Sequence, residues 1–275
     1  MPRTTMVVPC YNEQDRLNGD AFLQFVDDTF GIDFLFVNDG SRDRTIDTLR
    51  AIEAERPDRI QVLDLPKNVG KGEAVRQGVL AALESRPNFV GFIDADLAIP
   101  LFTIEQYLSV MGRHANIDLV VGTRISLMGR GVKRHPLRWL LGRTFAKCAS
   151  AVLGASLYDT QCGCKMFRVT SDTAHLFSQP FCTRWIFDVE LLARRKQVLK
   201  ANGDHTTPLA FEHPLEEWHD VPGSKLKPQD FVKAFVDLVN IFVKYRLNPT
   251  SVALPATQTE APALTTANAG YRKAA

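Results

Sequence analysis

The sequence predicts an α/β fold, a mostly parallel sheet doubly wound by helices, and three observations carry that expectation. Short apolar runs alternate with amphipathic stretches through the first 122 residues. The runs are rich in Val, Ile, Phe and Leu and almost continuously apolar, as strands are when helices cover both faces of their sheet. With 275 residues, 45% of them hydrophobic and 23% charged, the chain has enough apolar material for one large or two small domains. The same figures exclude a disulfide miniprotein, a collagen-like fibre and a mostly disordered chain.

The strand runs cover residues 4–8, 33–38, 60–65, 89–94 and 118–122. Helices are expected between them at 20–30, 45–55, 71–84 and 103–114, with Thr45 and Thr103 as starts and Pro57 and Pro87 just past helix ends. This is the repeated strand–helix alternation of a doubly wound sheet. Beyond residue 123 the pattern changes. Residues 124–158 hold Arg124, Arg130, Lys133, Arg134, Arg138, Arg143 and Lys147 and no Asp or Glu. A helix is expected over 137–153, a strand over 163–168, helices over 172–177 and 185–196, and a strand near 209–217. Residues 230–246 set Phe231, Phe235, Leu238, Phe242 and Tyr245 on one helical stripe, with Val232, Val236, Val239 and Val243 beside it and Lys233, Asp237, Asn240 and Lys244 opposite. The Ala/Thr/Pro-rich residues 248–275 lack periodicity and are expected to be disordered. The chain thus divides into 1–122, 123–228, an amphipathic helix at 229–247 and a tail, without internal repeats.

A net charge of +2 gives no reason to expect nucleic acid. Five irregularly spaced cysteines suit a reducing compartment, and no secretory signal or spanning run is visible, so a cytoplasmic protein is expected. Cys162-Gly-Cys164 lacks a second ligand pair nearby, and Gly70-Lys71-Gly72 lacks the spacing of a nucleoside-triphosphatase loop.

The sharpest chemical feature is Asp94-Ala-Asp96 at the end of the fourth strand. Ligands of open parallel sheets bind outside the carboxyl ends of strands. Two carboxylates one residue apart there can converge on Mg²⁺ or Mn²⁺, which takes a few carboxylates plus phosphate oxygens and water. A solvated strand end is the plain alternative for Asp-x-Asp alone. Four other strand ends carry polar sets as well: Pro9 to Glu13, Asn38 to Ser41, Asn68 to Gly70, and Gly122 to Arg124. A Tyr can stack on a base, an Asp can accept from a uracil N–H and an Arg can neutralise diphosphate.

In order and spacing, Pro-x-Tyr-Asn-Glu, Asn-Asp-Gly-Ser, Asn-x-Gly-x-Gly, Asp-Ala-Asp and Gly-Thr-Arg resemble the inverting family 2 glycosyltransferases of GT-A fold. Asp159-Thr-Gln-Cys-Gly-Cys-Lys165, Arg184-Trp-Ile-Phe-Asp-Val-Glu-Leu-Leu192 and Gly223-Ser-Lys-Leu226 narrow the resemblance to dolichyl-phosphate β-glucosyltransferases and their polyprenyl-phosphate relatives. It spans about residues 4–247. The resemblance implies a GT-A (Rossmann-like) fold and transfer of glucose from UDP-glucose to a polyprenyl phosphate of dolichyl or undecaprenyl type. Pro9, Tyr11, Glu13, Asp39 and Lys71 would hold the nucleotide-sugar, and Asp94 and Asp96 the ribose and a metal-bridged diphosphate. Arg124 would sit by the sugar or phosphates, and Lys165 and Lys225 would line the phosphate pocket. Related mannosyl transferases carry a metal-binding Gln two residues after Asp-x-Asp; Ala98 stands there, as in the glucosyl branch, which favours UDP-glucose over GDP-mannose. Eukaryotic relatives carry a membrane anchor before the first strand, which is not seen here, so peripheral association with a membrane's inner face is expected.

A lipid phosphate is already ionised near neutral pH, so it needs a cationic cradle and alignment in place of a base. The acid-free segment 124–158 offers the cradle, with Arg138 and Arg143 as acceptor-phosphate contacts; a solvated basic face is the alternative. Asp188 stands where a base would be sought, or where a carboxylate would orient an arginine such as Arg184. The 230–246 helix has two readings: in the headgroup layer of a membrane, Lys225, Lys227, Lys244 and Arg246 nearby, or packed on the sheet or on another subunit of a homo-oligomer. Rival functions are mannosyl or other hexosyl transfer to the same lipid, a soluble acceptor, and non-catalytic nucleotide-sugar binding.

Overall fold

The computed structural model describes residues 2–129, 131–132, 136–219 and 228–247, with the side chains of 132, 136–141 and 228–232 outside the description. Lys225 and the tail 248–275 therefore lie outside the described residues, as does the Arg138 side chain.

A seven-stranded sheet runs through the molecule in the order β3-β2-β1-β4-β7-β5-β8. Its first four strands in the chain are β1 (Thr4–Cys10), β2 (Ile32–Asp39), β3 (Ile60–Leu65) and β4 (Phe89–Ile93), paired in parallel. β5 (Leu119–Thr123) and β8 (Phe211–Pro214) are parallel to one another, while β7 (Cys164–Arg168) lies antiparallel between β4 and β5. β6 (Gly131–Val132) and β9 (Glu217–Trp218) form a separate two-stranded ribbon.

Helices α1 (Gly19–Asp28), α2 (Thr45–Glu55) and α4 (Thr103–Arg113) cover one face of the sheet. α3 (Lys71–Glu84), α5 (Pro136–Leu153), α6 (Ser171–Ser178), α7 (Phe187–Ala201) and α8 (Pro228–Phe242) cover the other. Side chains of β1 alternate between the layers: Met6 and Val8 join the first core and Val7 the second, all at 0% exposure. The apolar runs were continuous for this reason. Predicted element bounds match to within a few residues, save that the strand expected over 209–217 is two short strands, β8 and β9.

The chain's last described helix packs one apolar face into the core and leaves another exposed. Ala234, Leu238, Ile241 and, on the π-helical turn Val243–Leu247 that follows, Tyr245 are buried in the core beside α5 and α7. Phe235, Val236, Val239, Val243 and Leu247 stay exposed. Phe235 therefore leaves the stripe that Leu238 and Tyr245 were expected to share with it. No helix among the described residues is long and apolar enough to cross a membrane.

Candidate active site

The strand order reverses its direction of growth at β1, which has β2 on one side and β4 on the other. A crevice at such a switch point, at the carboxyl ends of the strands, is where an open α/β sheet takes its ligand. Asp94 and Asp96 follow β4 there. Leu97 adopts φ +51°, a left-handed conformation that costs a branched residue about 1–2 kcal/mol, and the Ala98 N–H clasps the turn by donating to Asp96 Oδ1 at 3.1 Å. This turn fixes where the two carboxylates sit.

Each carboxylate has a cation. Lys71, the first residue of α3, places Nζ 2.6 Å from Asp94 Oδ1. Arg16 places Nη2 3.0 Å from Asp96 Oδ2 and Nε 3.4 Å from Glu13 Oε2, so it bridges the β1 and β4 ends. Burial and the neighbouring Asp94 raise the Asp96 carboxyl above its ordinary value. Burial would lower the Lys71 ammonium, but Asp94, Asp188 and Asp96 outweigh it and the value is raised.

A second ion pair lies beneath. The antiparallel β7 sets Lys165 opposite Phe92, and its ammonium, 0% exposed, donates to Asp188 Oδ1 at 2.5 Å and to the Cys162 carbonyl at 2.8 Å. Asp188 lies in the first turn of α7, and burial raises its carboxyl despite Lys165 and Lys71. The residue that precedes β7 also supports Asp94 directly: the Asp94 N–H donates to the Gly163 carbonyl at 3.0 Å, and a Cβ on Gly163 would collide with the Asp94 carboxylate. Asp188 thus partners Lys165, and Arg184 instead donates to Asn68 Oδ1 at 2.6 Å.

Asp39 is 3% exposed, and its oxygens accept from the Val69 N–H at 2.7 Å and the Gly70 N–H at 2.9 Å. Burial raises this carboxyl in spite of those bonds. It is the clamp that holds the loop into α3, and so the position of Lys71. Gly70 has φ +95°, and a side chain there would meet Arg184. Pro9 lies in β1 and Tyr11 just beyond it, both half-buried; the Glu13 N–H is held by Thr45 Oγ1 at 2.8 Å and Asn12 by Ser41 and Arg42.

Arg124, after β5, makes a bidentate pair with Asp159, Nε to Oδ2 at 2.7 Å and Nη2 to Oδ1 at 2.9 Å. Burial opposes the charge, but Asp159 holds the guanidinium above its ordinary value. Trp218 lies against it, 5.7 Å from ring centroid to Cζ. Glu212 on β8 accepts from the Tyr158 and Asp159 N–H groups at 2.8 and 2.9 Å and so fixes Arg124's partner. Arg143 donates to the Tyr158 carbonyl at 2.7 Å and stacks 3.8 Å over the Tyr158 ring, so it anchors the segment leading into Asp159.

The structure therefore gathers Glu13, Lys71, Asp94, Asp96, Lys165 and Asp188 into one charged cluster. Sequence reasoning missed Arg16, Asp159 as a partner, Glu212 and Trp218. Their signals were faint: Arg16 lies three residues beyond a motif, Asp159 opens a motif but gives no sign of its partner 35 positions away, and Glu212 and Trp218 are single residues far along the chain from what they touch. Cys162 and Cys164 are buried and their thiols are pushed up, that of Cys162 to about 12. Among the described residues no three His, Cys, Asp or Glu side chains form a ready metal cage. Asp94 and Asp96 still fit a hard divalent cation: both are carboxylates, at one strand end, and leave most of the coordination shell to phosphate and water.

Comparison with known proteins gives the family and the fold. The family described as glycosyl transferase family 2 matches residues 5–175, and the chain belongs to it. Its curated relatives narrow the class. A dolichyl-phosphate beta-glucosyltransferase of Trichomonas vaginalis is 33% identical across 88% of this chain and 72% of that protein. The Dictyostelium discoideum and human proteins of the same name are 31% and 29% identical, each across 88% of this chain and 75% of theirs. The chain is a glycosyltransferase that resembles these. Among solved structures, glucosyl-3-phosphoglycerate synthase from Mycobacterium tuberculosis, determined with Mn²⁺, UDP and glucosyl-3-phosphoglycerate, aligns with a TM-score of 0.62 and 18% identity over 89% of this chain and 80% of that one. That likeness establishes the GT-A fold.

Proposed function

We propose that this protein transfers glucose from UDP-glucose to a polyprenyl phosphate, with inversion at the anomeric carbon and with Mg²⁺ or Mn²⁺ bound. The observation that carries the reading is the Asp94–Asp96 pair at the switch-point crevice, ringed by Lys71, Arg16 and the Lys165–Asp188 pair. The activity that names the similar dolichyl-phosphate beta-glucosyltransferases supports the acceptor and the sugar. Ala98, two residues after Asp-x-Asp, supports glucose over mannose.

In the reaction an oxygen of the acceptor phosphate attacks C1 of glucose from the face opposite the nucleoside diphosphate. The bond from C1 to the diphosphate oxygen breaks, and UDP leaves with the electron pair. The acceptor oxygen carries no proton at neutral pH, so no general base is required. Asp94 and Asp96 would hold the divalent cation, which supplies positive charge to the departing diphosphate. Tyr11 and Glu13 would meet the nucleoside, and Lys71 the phosphates. Lys165 is fully buried, so it acts through Asp188, fixing that carboxylate beneath Asp94 and Lys71. Arg124, held on two nitrogens by Asp159, presents a fixed cation at the edge of the site. The acceptor's tail requires a membrane surface, and the exposed row Val236, Val239 and Val243 with Lys244 and Arg246 suits the headgroup layer on the cytoplasmic side.

The test is transfer of radiolabelled sugar into organic-extractable lipid from UDP-glucose, in parallel with GDP-mannose, with polyprenyl phosphate and Mg²⁺ supplied. Label from UDP-glucose alone, lost on chelation, is the expected result. Label from GDP-mannose would correct the sugar. No lipid label from either donor would overturn the acceptor.

A further inference from the structure

Arg16 and Lys71 each lie on one member of the carboxylate pair, at 3.0 and 2.6 Å, Arg16 from the segment after β1 and Lys71 from the start of α3. Arg16 also reaches Glu13, which ties it to the end of β1. Among the described residues the ion-paired groups around the two carboxylates are Glu13, Asp94, Asp96 and Asp188 against Arg16, Lys71 and Lys165, with the Arg124–Asp159 pair beside them contributing no net charge. The balance is one negative charge. A divalent ion entering alone would have to displace or crowd two cations and would leave the crevice net positive. A nucleoside diphosphate entering with it reverses both penalties, since its phosphate oxygens neutralise the excess and offer Arg16 and Lys71 new anionic partners.

We propose that Arg16 and Lys71 are built-in counter-cations that keep the Asp94–Asp96 pair closed to a bare divalent ion, so that metal and nucleoside diphosphate bind as coupled ligands. The inference rests on the functional reading above for the identity of the two ligands. Arg16 is the decisive residue, because it spans two strand ends and lies outside every motif that suggested the site. By thermodynamic reciprocity the nucleotide must also bind more tightly when the metal is present, by the same factor.

The test is titration of the full chain with Mn²⁺, free ion read by electron paramagnetic resonance, with and without UDP. In the unaltered protein UDP should tighten Mn²⁺ binding by about tenfold or more, within the range usual for linked sites. Arg16→Gln should tighten Mn²⁺ binding in the absence of UDP by about tenfold and shrink the coupling accordingly. Arg16→Lys, which keeps the charge, should preserve the coupling. Should Arg16→Gln fail to fold by circular dichroism, Lys71→Met removes the other counter-cation and should show the same gain. Unchanged nucleotide-free affinity in the charge-removing variant, with UDP-dependent Mn²⁺ binding intact in the unaltered protein, would overturn this inference and leave the functional reading standing. No Mn²⁺ binding by the unaltered protein, with UDP or without, would overturn both.

Discussion

Asp96 shows how much of the chemistry rests on single side chains. It faces Asp94 across one residue, it is raised by burial and by that neighbour, and its turn is clasped by the Ala98 N–H. Asp96→Ala should retain the fold and lose transfer by about 10²-fold or more, as measured by lipid-phase label beside an unchanged circular dichroism spectrum. Gly163→Ala tests the same carboxylates without touching their charge. The new methyl would push Asp94 from its place, and a shift of about 1 Å at a reacting centre costs about 10²-fold. The expected outcome is a fall in kcat with a nearly unchanged Tm. Glu190 is the opposite case, a charge that serves stability. It is 0% exposed and accepts from the Cys182 N–H, Tyr245 and Arg194 at 2.7–2.9 Å. Burial alone would raise its carboxyl, but these partners hold it below the ordinary 4.5. A carboxyl depressed in the folded state adds stability above its unfolded value and loses it as pH falls through the folded one. Glu190→Gln should cost about 3–5 kcal/mol at neutral pH and flatten the loss of stability below about pH 4.5, as read by denaturant titration.

The helices matter through how closely they approach the sheet. α3 carries Lys71 at its first turn and packs on β1 and β2 through Gly78, where an added Cβ would lie 2.5 Å from Val7 and 2.7 Å from Val37. Gly78→Ala gains helix propensity of about 1 kcal/mol but overpacks a rigid β-branched surface. The packing cost should win, for a net loss of about 1–2 kcal/mol in urea unfolding. The buried positions of the first four strands and their helices were legible because each element repeats its own period locally. The direction of β7 was not. A strand buried on both faces reads the same parallel or antiparallel, so Cys164–Arg168 could not announce that it enters the sheet reversed. That reversal is what sets Lys165 opposite Phe92 and Gly163 against Asp94.

For the molecule as a whole, α8 joins protein packing to an outward apolar row. Its inner residues Leu238 and Ile241, with Tyr245 on the π-helical turn that follows, meet α5 and α7, and Tyr245 reaches the buried Glu190 at 2.7 Å. Val236, Val239 and Val243 remain 56, 59 and 41% exposed. Val239→Asp with Val243→Asp should sharply reduce cosedimentation with anionic lipid vesicles and raise the KM for a vesicle-borne acceptor, while UDP binding is unchanged. Equal cosedimentation would place the lipid contact elsewhere on the protein.

Period and motif were enough for the layered α/β architecture, the core positions and the residues at each strand end, because these depend on neighbours a few positions apart. Glu13, Asp39, Lys71, Asp94, Asp96 and Arg124 were all legible in this way. Which of them meet, and through what, was decided only by the folded chain. Arg16 reaches Asp96 across 80 positions, Arg124 reaches Asp159 across 35, and Asp39 is turned inward onto the Val69 and Gly70 amides. Such pairings follow from strand order and strand direction, and a run of apolar residues carries no record of the strand it will lie beside.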